Sequence, residues 1–294
     1  MQNLFLSLLV SSSAAVAAAR PGGSHGAFKA RGPAPVARQQ NVQRWDFTKI
    51  ANPSVPAPIA DFAQSQGAGA THEYFSTAEW NDVWSLQSWS KDASDDAPTR
   101  MTNSLNNIYI QQNTDAGAAA DETFLTMRTV RHDGFQSAAQ IESRRNDYQY
   151  VTMKMRARTV GDAGACTAMF TYYLPDGGKV QEADLEILTK EADNIAHYTN
   201  QPSYDGDQEF PEATVTATLP TSWNTWQEHT LEWTPGSSDW YVDGQKVASI
   251  QFQAPVDPTT LVFNAWSDGG SWSGNMEVGG SAEMQIQWIE ITTQ

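Results

Sequence analysis

Residues 181–189 read Gln-Glu-Ala-Asp-Leu-Glu-Ile-Leu-Thr. The alternation is strict. Glu182, Asp184 and Glu186 share one parity, while Ala183, Leu185 and Ile187 share the other. A period of two is the signature of a β-strand with opposed faces. The apolar set is predicted to enter a core, and the acids to project from the other face as an unbroken row. An alternating strand often has a solvated polar face, which is the plain reading of such a pattern. Here, however, three like charges stack with no Lys or Arg between them. Such crowding is typical of functional sites.

The same texture extends in both directions. Asn107–Gln111, Thr123–Val130 and Tyr148–Arg158 read as strands; in the last, Val151, Met153 and Met155 share one parity. Trp240-Tyr241-Val242 and Gln245-Lys246-Val247-Ala248 flank Asp243-Gly244, a strong hairpin signal. Residues 283–292 form a closing strand. Met284, Ile286 and Trp288 fall on one parity, with Ile289 and Ile291 on the other. That pattern predicts a strand covered on both faces. No long helical periodicity is present. Many short strands separated by turn signals imply an all-β sandwich or barrel.

Composition sets further bounds. The 294 residues carry a net charge of −16. Residues 20–50 hold six basic residues against Asp46 alone, leaving the rest at −21. An acidic body of this kind repels phosphate backbones, so no nucleic acid partner is expected. The only cysteine is Cys166, which rules out an internal disulfide. Its apolar neighbourhood, Ala165–Phe170, predicts a small buried side chain. Residues 1–19 read as a signal peptide: an apolar run, Leu4–Val10, is followed by small residues ending at Ala19. The run is too short to span a membrane. Residues 20–44, rich in Pro, Gly, Ala and Arg, read as a flexible leader, and 45–294 as one domain. A secreted, extracellular monomer is the expectation.

A row of carboxyls can do specific chemistry. Glycosidic cleavage needs one carboxylate as nucleophile or base and one protonated carboxylic acid. Crowding keeps one carboxyl protonated near neutral pH. In an ideal strand the Cα atoms of Glu182 and Glu186 are about 13 Å apart. Retention of configuration requires carboxyls about 5–5.5 Å apart. Long side chains leaning inward, or a bent strand, would close that gap; the spacing permits retention without establishing it.

Glu182-Ala183-Asp184-Leu185-Glu186 resembles the Glu-x-Asp-x-Glu signature of glycoside hydrolase family 16, a β-jelly-roll family of β-glucanases and related transglycosylases. The resemblance extends over about residues 105–294. Ser137–Ser143 with Tyr148-Gln149-Tyr150 is similar to strands leading into that family's cleft. Leu231–Pro235 followed by Trp240–Gly244 resembles its Glu-Trp-Thr-Pro segment and hairpin. Phe263–Trp266 resembles its Asn-x-Trp segment. The resemblance implies a jelly-roll sandwich with a concave cleft, Glu182 as nucleophile, Asp184 as its supporting acid and Glu186 as general acid/base. Ala183 and Gln227 depart from the family's pattern, which leaves linkage preference open.

Trp and Tyr present faces on which sugar rings stack. Trp266 and Trp272 flank a Gly-rich segment and are candidate platforms; Tyr198 and Trp226 are weaker ones, since aromatics also fill β-sandwich cores. Asn200, in the Tyr198-Thr199-Asn200 run, is a candidate partner for a sugar hydroxyl, or otherwise a turn residue. No cofactor or metal is expected. The five His lack His-Glu-x-x-His spacing. Asp205-Gly206-Asp207 lacks the remaining ligands of a calcium loop and reads as a turn. No Gly-x-Ser-x-Gly elbow is present. A β-1,3- or mixed β-1,3/1,4-glucan is the expected substrate, with hydrolysis as the leading reading. A transglycosylase using the same glutamates and a non-catalytic glycan-binding jelly roll are the alternatives.

Overall fold

The computed structural model describes residues 40–293. The expected signal peptide and most of the expected leader lie outside the described residues. Among the described residues, seventeen strands form one sheet that nearly closes on itself, giving two packed layers. The front layer runs β2 (Trp84–Leu86), β7 (Phe135–Ser143), β16 (Thr260–Trp266), β9 (Cys166–Tyr173), β10 (Gln181–Leu188), β11 (Ile195–Gln201) and β12 (Thr214–Thr218). The back layer runs β5 (Ile108–Gln112), β6 (Thr123–His132), β17 (Ser281–Thr293), β8 (Thr152–Gly161), β13 (Gln227–Thr234), β14 (Ser237–Val242) and β15 (Gln245–Ile250). β1 (Asn41–Asp46) extends the back layer along β17. Strand β7 joins the layers: its first half pairs with β6 and its second half with β16. Two short strands, β3 (Ser90–Lys91) and β4 (Met101–Asn103), pair beside it, and β4 runs parallel to β7.

The apolar parity of each strand faces inward. Ala183, Leu185 and Ile187 of β10 pack in one cluster with Met153, Met155, Leu231, Trp233 and Trp240 of the back layer. Each such large side chain removed from water is worth roughly 1.5–3 kcal/mol. The Asp243-Gly244 hairpin forms as expected, with φ of 48° and 78° at the two residues. Positive φ at both loop positions gives the twist that a two-residue hairpin requires.

Two expectations need correction. Residues 41–44 belong to β1 and not to a leader. Only Trp45 of that strand is buried, so an edge strand of polar residues offered no apolar rhythm to read. Strand β17 is also not covered on both faces. Its register against β8 shifts between Ile286 and Trp288: Ile286 stands opposite Ala157, and Trp288 opposite Arg156. One extra residue, Gln287, makes a bulge and reverses the parity. Met284, Ile286, Ile289 and Ile291 therefore all enter the same core. Trp288 instead pairs with Arg156 and lies under the Arg44 guanidinium at 4.1 Å.

Candidate active site

The inward turn of Ala183, Leu185 and Ile187 obliges Glu182, Asp184 and Glu186 to face outward from the front layer. Register then decides their neighbours. Glu182 lies between Tyr172 and Gln201, Asp184 between Phe170 and Thr199, and Glu186 between Ala168 and His197. Beyond β9, Val262 and Asn264 of β16 continue these rows, followed by Glu142 and Gln140 of β7. The cleft thus crosses the strands from β7 to β11. Trp89, Lys91 and Met101 line it, as do Trp266, Asp268 and Trp272 after β16, and Gln201 and Ser203 at the end of β11.

Its floor is apolar. Cys166, Ala168, Phe170, Leu188 and Val262 form a buried cluster, with Tyr172, Trp266 and Trp272 packed against it. Such a floor excludes water beneath the carboxyls and penalises their charged forms. Asp184 is held well above the usual carboxylate range, first by burial and then by the charges of Glu182 and Glu186; a hydrogen bond from Gln201 opposes this. The Gln201 amide is oriented for that bond, because its Oε1 accepts from the Ser203 N–H at 2.8 Å and the Ser203 hydroxyl at 3.0 Å. Glu182 is pushed up to about 8 by burial and by the charge of Glu186. Burial raises Glu186 too, but the Trp272 indole, the Cys166 thiol and His197 restrain it. Three carboxyls so placed titrate as a set, and the row retains protons near neutral pH.

The loop that carries the Trp residues is anchored through Asp268, which is 2% exposed. Its Oδ1 accepts from the Gly270 N–H at 3.0 Å and the Ser273 hydroxyl at 3.2 Å, and its Oδ2 pairs with Lys91 at 3.5 Å. Lys190 donates to the Ser271 carbonyl and ties down the same loop. Trp272 points its indole N–H at Glu186 Oε1, 3.0 Å away, and packs edge-on against His197 at 4.9 Å. Asn264 lines the cleft with its Oδ1 unpartnered among the described residues.

Of the residues singled out from sequence, the structure brings together Glu182, Asp184, Glu186, Trp266 and Trp272. Three others lie elsewhere. Tyr198 stands opposite Leu185, which puts it on the core face; it is 1% exposed and packs on Trp240 at 5.5 Å. Asn200 stands opposite Ala183 and donates to the carbonyls of Ile250 and Phe252. Trp226 donates to Asp115 on the back layer, lies under the Arg158 guanidinium and meets Phe124 edge-on. Thr199 and Gln201, one residue either side of Asn200, are the cleft residues of β11, because the register sets them opposite Asp184 and Glu182. Trp89, Lys91 and Met101 come from a stretch whose strands are too short to show a rhythm. The Asp205–Asp207 stretch is a turn, with Asp205 Oδ1 accepting from the N–H groups of Asp207 and Gln208.

Residues 98–290 match the profile of the glycosyl hydrolases family 16. A β-glucanase of Bacillus subtilis is 26% identical over 150 residues, which cover 49% of this chain and 59% of that protein. One from Bacillus amyloliquefaciens is 28% identical over 133 residues, or 44% of this chain and 53% of that protein. The chain thus spans little more than half the length of these relatives. Among solved structures, a β-glucanase of Bacillus licheniformis superposes with a TM-score of 0.56 at 19% identity, covering 72% of this chain and 92% of that one. The laminarinase catalytic domain of Thermotoga maritima gives 0.55 at 16% identity, covering 79% and 96%.

Proposed function

We propose that this chain, which belongs to the glycosyl hydrolases of family 16, is a secreted β-glucanase that cuts β-1,3- or mixed β-1,3/1,4-glucan with retention of configuration. The observation that carries this reading is the unbroken carboxyl row on β10, set over an apolar floor and between Trp walls. A row over an apolar floor that holds protons near neutral pH supplies both a base form and an acid form in one cleft. The β-glucanase names of the sequence relatives support the substrate class. The Leu4–Ala19 pattern supports secretion.

In this reading Glu182 attacks the anomeric carbon in its ionised form, which grows as pH rises toward 8, while Glu186 protonates the departing glycosidic oxygen. Glu186 then takes a proton from water, which opens the glycosyl-enzyme ester. Asp184, held protonated, donates to Glu182 and steadies the negative charge that returns to it on release. Trp266 offers a face for a sugar ring, and Asn264 Oδ1 accepts from a sugar hydroxyl.

The test is product analysis of wild type and Glu182→Gln on laminarin, barley β-glucan, xyloglucan and agarose, with and without added acceptor. New oligosaccharides that vanish in the variant support the reading and identify the linkage. No products from any substrate would refute it. Azide rescue separates the two glutamates: a retaining enzyme gives an α-glycosyl azide from Glu182→Ala and a β-glycosyl azide from Glu186→Ala. The reverse pairing would exchange their roles.

A further inference from the structure

Glu186 is gripped on one oxygen only. Its Oε1 accepts from the Trp272 indole N–H at 3.0 Å and from the Cys166 thiol at 3.4 Å. Register explains how Cys166 reaches it. The residue directly opposite Glu186 is Ala168, which is small and has no polar group. The Glu186 side chain can therefore lie diagonally across β9 toward Cys166, whose own partners are Leu188 and Trp266. The thiol is 0% exposed. Burial and the charges of Glu186 and Asp184 keep it protonated, so it faces the carboxyl as a donor and never as a competing anion. Trp266 stands directly opposite Cys166 across β9 and β16, and its side chain partly opposes the rise of the thiol. Both lone pairs of Oε1 are engaged by this arrangement, and Oε2 carries neither of the two bonds.

We propose that Cys166 is a positioning residue for Glu186: together with Trp272 it clamps Oε1, which fixes the carboxyl plane and leaves Oε2 to carry the proton to the glycosidic oxygen. The inference rests on the glycosidase reading above. Two donors on Oε1 suit a neutral carboxylic acid, whose carbonyl oxygen accepts while its hydroxyl oxygen donates. They also suit the carboxylate that remains once the proton has left. Other groups facing Glu186 are Asp184 and Glu182 along β10 and His197 from β11, with Glu191 bonded to His197 at 2.7 Å. Asp268, from the Trp-bearing loop, is paired with Lys91 and is charge-balanced.

Leaving-group dependence separates positioning from general damage. A glucan linkage needs its oxygen protonated to depart, whereas an activated aryl β-glucoside departs without help. The variants are Cys166→Ala, Cys166→Ser and Trp272→Phe in the full chain, and kcat/KM is followed against pH on both substrate types. Cys166→Ala is expected to lose about tenfold on glucan and less than about twofold on the aryl glycoside, a fraction of what a general acid supplies. Removing a donor to the anion makes Glu186 harder to ionise, so the alkaline limb should move upward. Cys166→Ser, which keeps an O–H donor, should recover most of the glucan rate. Trp272→Phe should shift the alkaline limb in the same direction as Cys166→Ala. Equal losses on both substrates with unmoved limbs, or a Ser variant no better than Ala, would overturn the clamp. Glucan turnover that survives in Glu186→Gln would remove Glu186 from the general-acid role and overturn the clamp with it, whereas a wild type that releases no products from glucan or aryl glycoside would overturn the glycosidase reading itself.

Discussion

Replacing Glu182 with Gln should make the protein more stable at alkaline pH while leaving its stability at pH 5 almost unchanged. The carboxyl moves from 4.5 to about 8 on folding, because the apolar floor strips its water and Glu186 repels its charge. The folded state therefore binds the proton more tightly than the unfolded chain does. Stability is fully present below pH 4.5 and is lost as pH rises toward 8. At about 1.36 kcal/mol per pH unit the ceiling is about 5 kcal/mol. Glu182 is only half-buried, so solvent screens part of this, and roughly 1–3 kcal/mol is the expected loss. Gln imitates the neutral acid and has no such pH dependence. The assay is thermal unfolding of wild type and variant at pH 5, 7 and 8.5. The difference between them should grow from near zero to its maximum across that series, and each kcal/mol should raise the melting temperature by about 2–4 °C for a domain of this size. A variant that melts at or below the wild-type temperature at pH 8.5 would refute the argument. So would a gain of the same size at pH 5, since that could not come from a titrating carboxyl. The gain in stability would accompany a loss of turnover, as befits a site that stores repulsion for chemistry.

Further outcomes follow from the packing. Trp266→Ala removes a sugar platform from the cleft wall, so KM on the preferred glucan should rise about tenfold with a smaller change in kcat, measured by initial rates. Deleting Gln287 removes the bulge in β17 and turns Ile289 and Ile291 out of the core; circular dichroism should show no cooperative unfolding. Gly161→Ala should cost roughly 3 kcal/mol or more in urea unfolding. Its φ is 120°, and an added Cβ would press on the Ser281 carbonyl and come within 2.6 Å of Ala282 Cα.

How far the sequence could be read depended on whether a feature was carried by one strand or by the relation between two. The carboxyl row is a property of β10 alone. The opposed parities of Glu182 and Ala183 place the acids outward once a core exists, whatever the neighbours are. The Asp243-Gly244 hairpin is similarly local. Tyr198 and Asn200 failed because their facing is set by the β10–β11 register, which no spacing within either strand reveals. The same register brings Thr199 and Gln201 into the cleft, so shared membership in a run says little about which of its residues meet a ligand. Strand β17 failed for a different reason. Parity counting assumes that no residue is skipped, and the bulge at Gln287 breaks that count without leaving a Gly or Pro to mark it. Cys166 shows a further limit. Its apolar neighbours correctly predicted burial, yet its contact with Glu186 depends on Ala168 being small enough to leave the diagonal open. A pairwise vacancy of that kind exists only after the sheet has assembled. The positions hardest to see in the sequence are thus the ones that tune the row, while the row itself is written along a single strand.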